Sequence, residues 1–324
     1  MLHRLLPIFA LLLLSPLIAE YLSGSLPAAL LTILWLMMAM YGAGALLIRE
    51  IAVRTGGGWG TIIPLAAAHG FIEEGWSTQS LFNPNYQGLR LLDFGYVEAL
   101  GTGLPWLLYV IGIHVVWSMA TPIALTNSLF PEKRRAPWLR WWGMAILVLL
   151  YAGAMVAAGN YQLQTSHFVA TRGELIAVGV VVAALVAGGL LAARWRAALD
   201  DVAAPGLLPL FLYGFLPGTV LIILEYFGPS RLHLSWQLGV VLLIADAALA
   251  IAIAVHWRGR RWTALQSFMP AAGATMVYAI GGFLTATTLH GAGDLPGHAA
   301  IALLCLAVLG LAWRRSAAFD RASA

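Results

Sequence analysis

The sequence predicts an all-α fold: a single integral membrane domain over residues 1–324, with about ten transmembrane helices and both termini cytoplasmic. Three observations predict it. Of the 324 residues, 61% are hydrophobic and only 10% charged, whereas a soluble domain has about 25% charged residues. Apolar runs of roughly 20 residues, long enough to cross a bilayer as a helix, recur from end to end. Basic residues crowd into every second connection between those runs, as expected for a chain that changes side at each span. The 34 glycines suit the class, because small residues let membrane helices approach closely.

Hydropathy and the breaks at charged or Pro/Gly-rich clusters place the spans at roughly 4–22, 26–48, 59–82, 105–130, 141–161, 173–193, 207–227, 236–256, 264–289 and 299–313. The first follows Arg4 in the manner of a signal peptide. However, SPLIAEYL lacks an A-x-A-like cleavage site, and removing that span would break the charge alternation. Spans two and three are joined by RTGGGWGT, residues 54–61, which lacks the closing GK[ST] of a phosphate loop and reads as a turn. Cys305 falls inside the tenth span, where it permits no internal disulfide.

Charge sets the orientation. Fifteen of the eighteen Lys and Arg residues lie in one set of connections and termini, among them Arg49, Arg54, Lys133 to Arg135, Arg196 and Arg258 to Arg261. The opposite set holds Arg90, Arg172 and Arg231. Short loops rich in Lys and Arg stay cytoplasmic, so the 131–140 and 257–263 loops belong inside and the 83–104 loop outside. The positive balance is therefore topology and not a nucleic-acid surface. The lipid bilayer is the partner implied, and a bacterial inner membrane is the expected location.

An internal echo runs through the chain. AEYLSGS at residue 19 resembles LEYFGPS at 224, and IAVRTGGGW at 51 resembles IAVHWRGRRW at 253. Both pairs fit a parallel duplication of spans one to three and seven to nine, and they equally fit chance similarity between apolar helices.

Ionisable groups within spans each cost about 2.5–3.5 kcal/mol at a helix centre on insertion scales, so each needs a reason. In span three, HGFIEEGW places His69, Glu73 and Ser77 on one helical stripe, with Glu74 and Thr78 on the next. In span four, His114, Ser118 and Thr121 repeat the pattern. Counting from Phe82 and Pro105 at about 1.5 Å per residue, Glu73 and His114 both lie about 13–14 Å deep. His69 and Ser118 both lie about 20 Å deep on the same count. Antiparallel neighbours would then set Glu73 level with His114, and His69 level with Ser118. Pro122 releases the Ser118 carbonyl from the helical ladder and leaves a free acceptor on the polar stripe.

The chemistry open to such a cluster is definite. Two adjacent carboxylates in low dielectric cannot both ionise cheaply, so Glu73 and Glu74 are expected to share about one negative charge. A glutamate beside a neutral imidazole can activate water as a general base, which makes Glu73, Glu74, His114 and His69 catalytic candidates. Two histidines and a glutamate can instead hold a divalent metal with an open position. The same groups also serve as polar bridges between helices. The outer loop LFNPNYQGLRLLDFGYVEALGTGLP can fold over the mouth of the site, with Asn83, Asn85 and Ser118 as substrate-binding candidates.

A second polar point offers a different function. Asp246 stands mid-span in LLIADAALA, opposite YGFLPGTV in span seven, where Gly214, Pro217 and Gly218 would break or kink the helix. A broken helix facing a carboxylate is what ion-coupled transporters place at the midplane. Membrane-embedded hydrolase, ion-coupled transporter and non-catalytic structural protein all remain open, with the hydrolase reading in the lead.

The EE pair followed by a histidine in the next span resembles the CPBP group, the CAAX-type glutamate intramembrane endopeptidases. In that resemblance Glu73 and Glu74 match the paired glutamates and His114 the histidine. Thr78 stands where the group has arginine in EExxxR, and Val110 where FxxxH has phenylalanine. No later His-x-x-x-Asn/Asp motif follows. More closely, YGAGALLIREIAVRTGGGW, IEEGWSTQSLFNPNY and HVVWSMATPIAL are similar to a family of uncharacterised bacterial membrane proteins over roughly residues 19–140.

Overall fold

The computed structural model describes residues 2–194, 202–229 and 231–323; Arg196 and the side chain of Arg4 lie outside them. Ten helical rods run through the described residues. They are α1 (residues 2–22), α2 (Ala28–Thr55), α3 (residues 59–77), α4 (Leu104–Leu129) and α5 (Trp141–Ser166), followed by α6 (Arg172–Ala192), α7 (Leu207–Phe227), α8 (Trp236–His256), α9 (Ala264–His290) and α10 (Leu295–Ser323). The described strand structure is a two-residue hairpin in the outer loop, Tyr96–Val97 against Thr102–Gly103. By length and composition nine of the ten rods can cross a membrane. The exception, α3, carries His69, Glu73 and Glu74.

Four rods are not plain α-helices. Leu17–Leu22 in α1, Met38–Gly42 in α2, Ile72–Ser77 in α3 and His114–Ala120 in α4 are π-helical. Among the described residues α5 to α10 contain none. π-helix makes up well under 1% of residues in proteins and appears mostly at functional sites. In α4 the local cause is visible. Pro122 has no N–H to give to the Ser118 carbonyl, and Thr121 N–H reaches back five residues to Val116. The released Ser118 carbonyl accepts a hydrogen bond from Ser15 Oγ of α1 at 2.7 Å. A sequence-predicted free acceptor thus becomes a tie between two helices.

Packing around α9 organises the other half. α9 contacts α7, α10 and α4. Trp117 of α4 stacks on Tyr278 of α9 at 4.2 Å and donates to the Ala274 carbonyl at 2.7 Å. At Gly214 a Cβ would stand 1.9 Å from the Pro270 carbonyl oxygen, so α7 and α9 meet backbone to backbone. That contact corrects the expectation of a broken span seven. α7 is one continuous helix from Leu207 to Phe227, and Gly214 and Gly218 serve close approach to Pro270 and Trp117.

Several boundaries also differ from the hydropathy reading. Span two runs on to Thr55, because Arg49 and Glu50 pair with each other at 2.6 Å inside the bundle. Arg49 also donates to the Lys133 and Arg134 carbonyls and lies 3.5 Å over Trp138, while Glu50 accepts from the Trp138 and Leu139 N–H groups. The pair therefore staples the 131–140 loop to α2. Span three stops at Ser77, not Phe82, because Gln79 turns the chain with a φ of +56°. The tenth rod continues to Ser323, where Asp320 caps the start of α9 through the Ala264 and Leu265 N–H groups.

Candidate active site

The four π segments converge on one polar centre. On α3, His69 and Glu73 lie one turn apart, and the π turn that follows alters what comes next. A π turn holds more residues than an α turn, so consecutive side chains diverge by a smaller angle. Glu73 and Glu74 can therefore both face α4. Gly70 lets that helix come close, since a Cβ there would stand 3.1 Å from the His114 Cβ.

His114 stands between the two carboxylates. Its Nε2 lies 2.8 Å from Glu74 Oε1 and its Nδ1 lies 3.7 Å from Glu73 Oε2. The other oxygen of Glu74 accepts hydrogen bonds from Thr78 Oγ1 and Ser80 Oγ. A carboxylate so supplied takes the His114 Nε2 proton as a further donor, leaving the lone pair on Nδ1. Ser118 Oγ is 3.2 Å from that nitrogen.

His69 mirrors the arrangement. Its Nδ1 lies 2.9 Å from Tyr151 Oη, and its Nε2 lies 3.1 Å from Glu73 Oε2. The second contact is short in distance but off the hydrogen-bond direction, so both atoms are buried without a hydrogen-bond partner. Tyr41 of α2 donates to Glu73 Oε1, stacks on the His114 ring at 6.1 Å and meets the His69 ring edge-on at 5.7 Å. Glu20 of α1 lies near Tyr41, Glu73 and His114. His69, Glu73, Glu74 and His114 are all buried.

The outer loop closes over this centre. Tyr86 sets its hydroxyl beside Thr78 and near the charges of Glu74, Glu73 and Glu20; burial, then those charges, raise its phenol above the usual value. It stays a neutral hydrogen-bonding group over the site.

The structure brings together His69, Glu73, Glu74, His114 and Ser118. Glu73 is level with His114, as the depth count predicts. His69 faces His114, ring centroids 5.6 Å apart, and its Nδ1 and the Met119 side chain, next to Ser118, both lie against Gly44. Each carboxylate has its own hydrogen-bond partners, Tyr41 for Glu73 and Thr78, Ser80 and His114 for Glu74. Asn83 is buried, and its Oδ1 accepts the Asn85 N–H at 3.0 Å in a turn of the outer loop. Asp246 lies on α8, which packs against α4 and α7, away from the cluster.

Sequence reasoning missed Glu20, Tyr41 and Tyr151. Buried tyrosines in mid-span need a partner for their hydroxyl, and that was the available signal for two of them. Glu20 lies near the outer end of its span, where a carboxylate is cheap to place and gives little signal. With α3 ending at Ser77, the site itself is nearer that end.

A helical bundle enclosing an ionisable centre among its first four rods defines a multi-pass integral membrane protein with an internal site. Residues 9–319 match the family described as an uncharacterized membrane protein family, and the chain belongs to it. The similarity first read over residues 19–140 therefore extends almost end to end, and no link to the CPBP peptidases is shown. No curated protein and no solved structure matches the chain.

Proposed function

We propose that the protein is a membrane-embedded hydrolase whose centre is the cluster of His69, Glu73, Glu74 and His114. One observation carries this reading. Glu73 Oε2 lies 3.1 Å from His69 Nε2 and 3.7 Å from His114 Nδ1, while the opposite atom of each group is held from behind by Tyr41, Tyr151 and Glu74. Groups fixed from behind with free acceptors in front are arranged to polarise a water and take its proton. Tyr41, which donates to Glu73 Oε1, and Glu20 near it connect the centre to further exchangeable protons. The Tyr86 loop shields the centre from bulk water, which strengthens its electrostatics. The transport reading loses its broken helix, since α7 is continuous.

Hydrolysis can be tested before the substrate is known. Protein reconstituted in nanodiscs is given membrane lipids and peptides in ¹⁸O water, and products are searched for the label. The wild type should release a labelled product. Glu73→Gln and His114→Ala should each reduce it about 10²–10⁴-fold, the usual contribution of an acid–base group. Labelling that is equal in the wild type and both variants would reject the proposal.

A further inference from the structure

We infer that His69, Glu73 and His114 bind one divalent transition-metal ion of the zinc type, through His69 Nε2, Glu73 Oε2 and His114 Nδ1. This deepens the hydrolase reading by naming the cofactor of the same site, and it rests on that reading only for what the ion would do.

Geometry is the first argument. One ligand atom from each of the three buried residues lies within 4.8 Å of the others, and Glu73 Oε2 is 3.1 Å from His69 Nε2 and 3.7 Å from His114 Nδ1. His69 Nε2 and Glu73 Oε2 are 3.1 Å apart, yet they make no hydrogen bond with each other or with any other group. A hydrogen bond wants the acceptor on the N–H line. A shared ion wants it well off that line: two ligands each about 2.05 Å from one ion and this far apart subtend about 100° at it. The misalignment that spoils the hydrogen bond is the one a shared ion requires.

Orientation is the second. Metal-bound histidines almost always use their other ring nitrogen on a carboxylate, carbonyl or water, which fixes the tautomer. Here His114 gives Nε2 to Glu74 and His69 gives Nδ1 to the Tyr151 hydroxyl. The third ligand is held likewise, with Glu73 Oε1 taken by Tyr41. Among the described residues the competing contact at His114 Nδ1 is the Ser118 hydroxyl at 3.2 Å, a rotatable group that an ion displaces.

Donor chemistry selects the ion. Two imidazoles and one carboxylate suit zinc and its first-row neighbours, whereas magnesium and calcium prefer all-oxygen shells. Three protein ligands leave a position for water. An ion there lowers the proton affinity of that water and makes it a nucleophile at neutral pH.

The test needs no substrate. Purified wild-type protein is stripped with chelator, reloaded with Zn²⁺ or Co²⁺, and assayed for bound metal and for the visible spectrum of Co²⁺. About one ion per chain should bind, with the intense absorption of low-coordinate Co²⁺. Glu74→Gln, which removes only the orienting carboxylate, should weaken binding about 10–100-fold. His69→Gln and Glu73→Gln should weaken it further, and Asp246→Asn should bind as the wild type does. A monodisperse, helical wild type that takes up neither ion overturns the inference, as does unchanged affinity in both ligand variants. A labelled hydrolysis product from metal-free wild type would overturn the ion's role in the reaction while leaving the hydrolase standing.

Discussion

Two helix ends carry nearly the same residues and do different work. α1 closes with AEYLSGS and α7 with LEYFGPS, each placing a Glu-Tyr pair near the outer end of a span. At the first, Leu17–Leu22 is a π turn, and Glu20 joins Tyr41 and the His/Glu cluster. At the second, the helix stays α to Phe227. Glu225 lines an outer cavity of about 190 Å³ with Arg90, Trp106 and Leu224. The tyrosines differ as well: Tyr21 donates to the Leu30 carbonyl at 2.8 Å, whereas Tyr226 pairs with Thr285 at 3.0 Å. The motif alone does not make a site. What separates the two ends is backbone geometry and the neighbour each side chain meets.

The comparison breaks first at the level of topology, where the outcome is all or none. If both Glu-Tyr ends face the same side, single cysteines at Ser25 and Leu232 should both react with an impermeant thiol reagent on intact cells. The background is Cys305→Ser, and a cysteine at Arg135 should stay unlabelled until the membrane is opened. The charge distribution of fifteen against three dictates this orientation. Labelling of Ser25 and Leu232 from opposite sides would end the comparison and the ten-span topology together.

Next in size is the functional contrast between the two glutamates. Glu20→Gln should lower ¹⁸O-labelled product by about 10²-fold, within the range for one acid–base group. Glu225→Gln should change it by less than about twofold, since a substitution away from the reacting groups leaves acid–base chemistry intact. Equal losses would mean that Glu20 acts only through packing; a larger loss at Glu225 would move the site to the outer cavity.

Much of this was legible in the sequence, and the parts that were not share a physical cause. The ten rods follow from the apolar runs, and Glu73 beside His114 follows from equal depth on antiparallel helices. The freed Ser118 carbonyl follows from Pro122. By contrast, the continuity of α7 was hidden because glycine serves both breaks and close contacts. Pro270, against which Gly214 packs, lies 56 residues away. Arg49 looked like a loop cation because its partners in the 131–140 loop are distant in sequence. The π turns were hidden most completely. Each adds one residue to a turn without altering hydropathy, and together they carry Glu20, Tyr41, Glu73, Glu74 and His114.

The smallest predicted effect isolates what holds one of those π turns. Ser15 Oγ to the Ser118 carbonyl ties α1 to α4 at the point where His114–Ala120 leaves the α-helical ladder. Hydrogen bonds between membrane helices average about 0.6 kcal/mol and reach about 1.7. Ser15→Ala should therefore destabilise the protein by about that amount, measured by reversible unfolding in mixed detergent. Pro122 still denies the carbonyl its ordinary donor, so the π turn itself should survive. The carbonyl would then be left without a partner inside the bundle, and the next segment to adjust is the one carrying Ser118 and His114. Turnover should fall several-fold while metal stoichiometry stays at the wild-type value, because none of the three proposed ligands has changed. Pro122→Ala on the same background restores an N–H for Ser118 and should undo the stability loss but not the turnover loss, since it replaces the π turn with a regular one. Recovery of both would show that the π geometry of α4 is incidental. The contrast between α1 and α7 would then rest on neighbours alone.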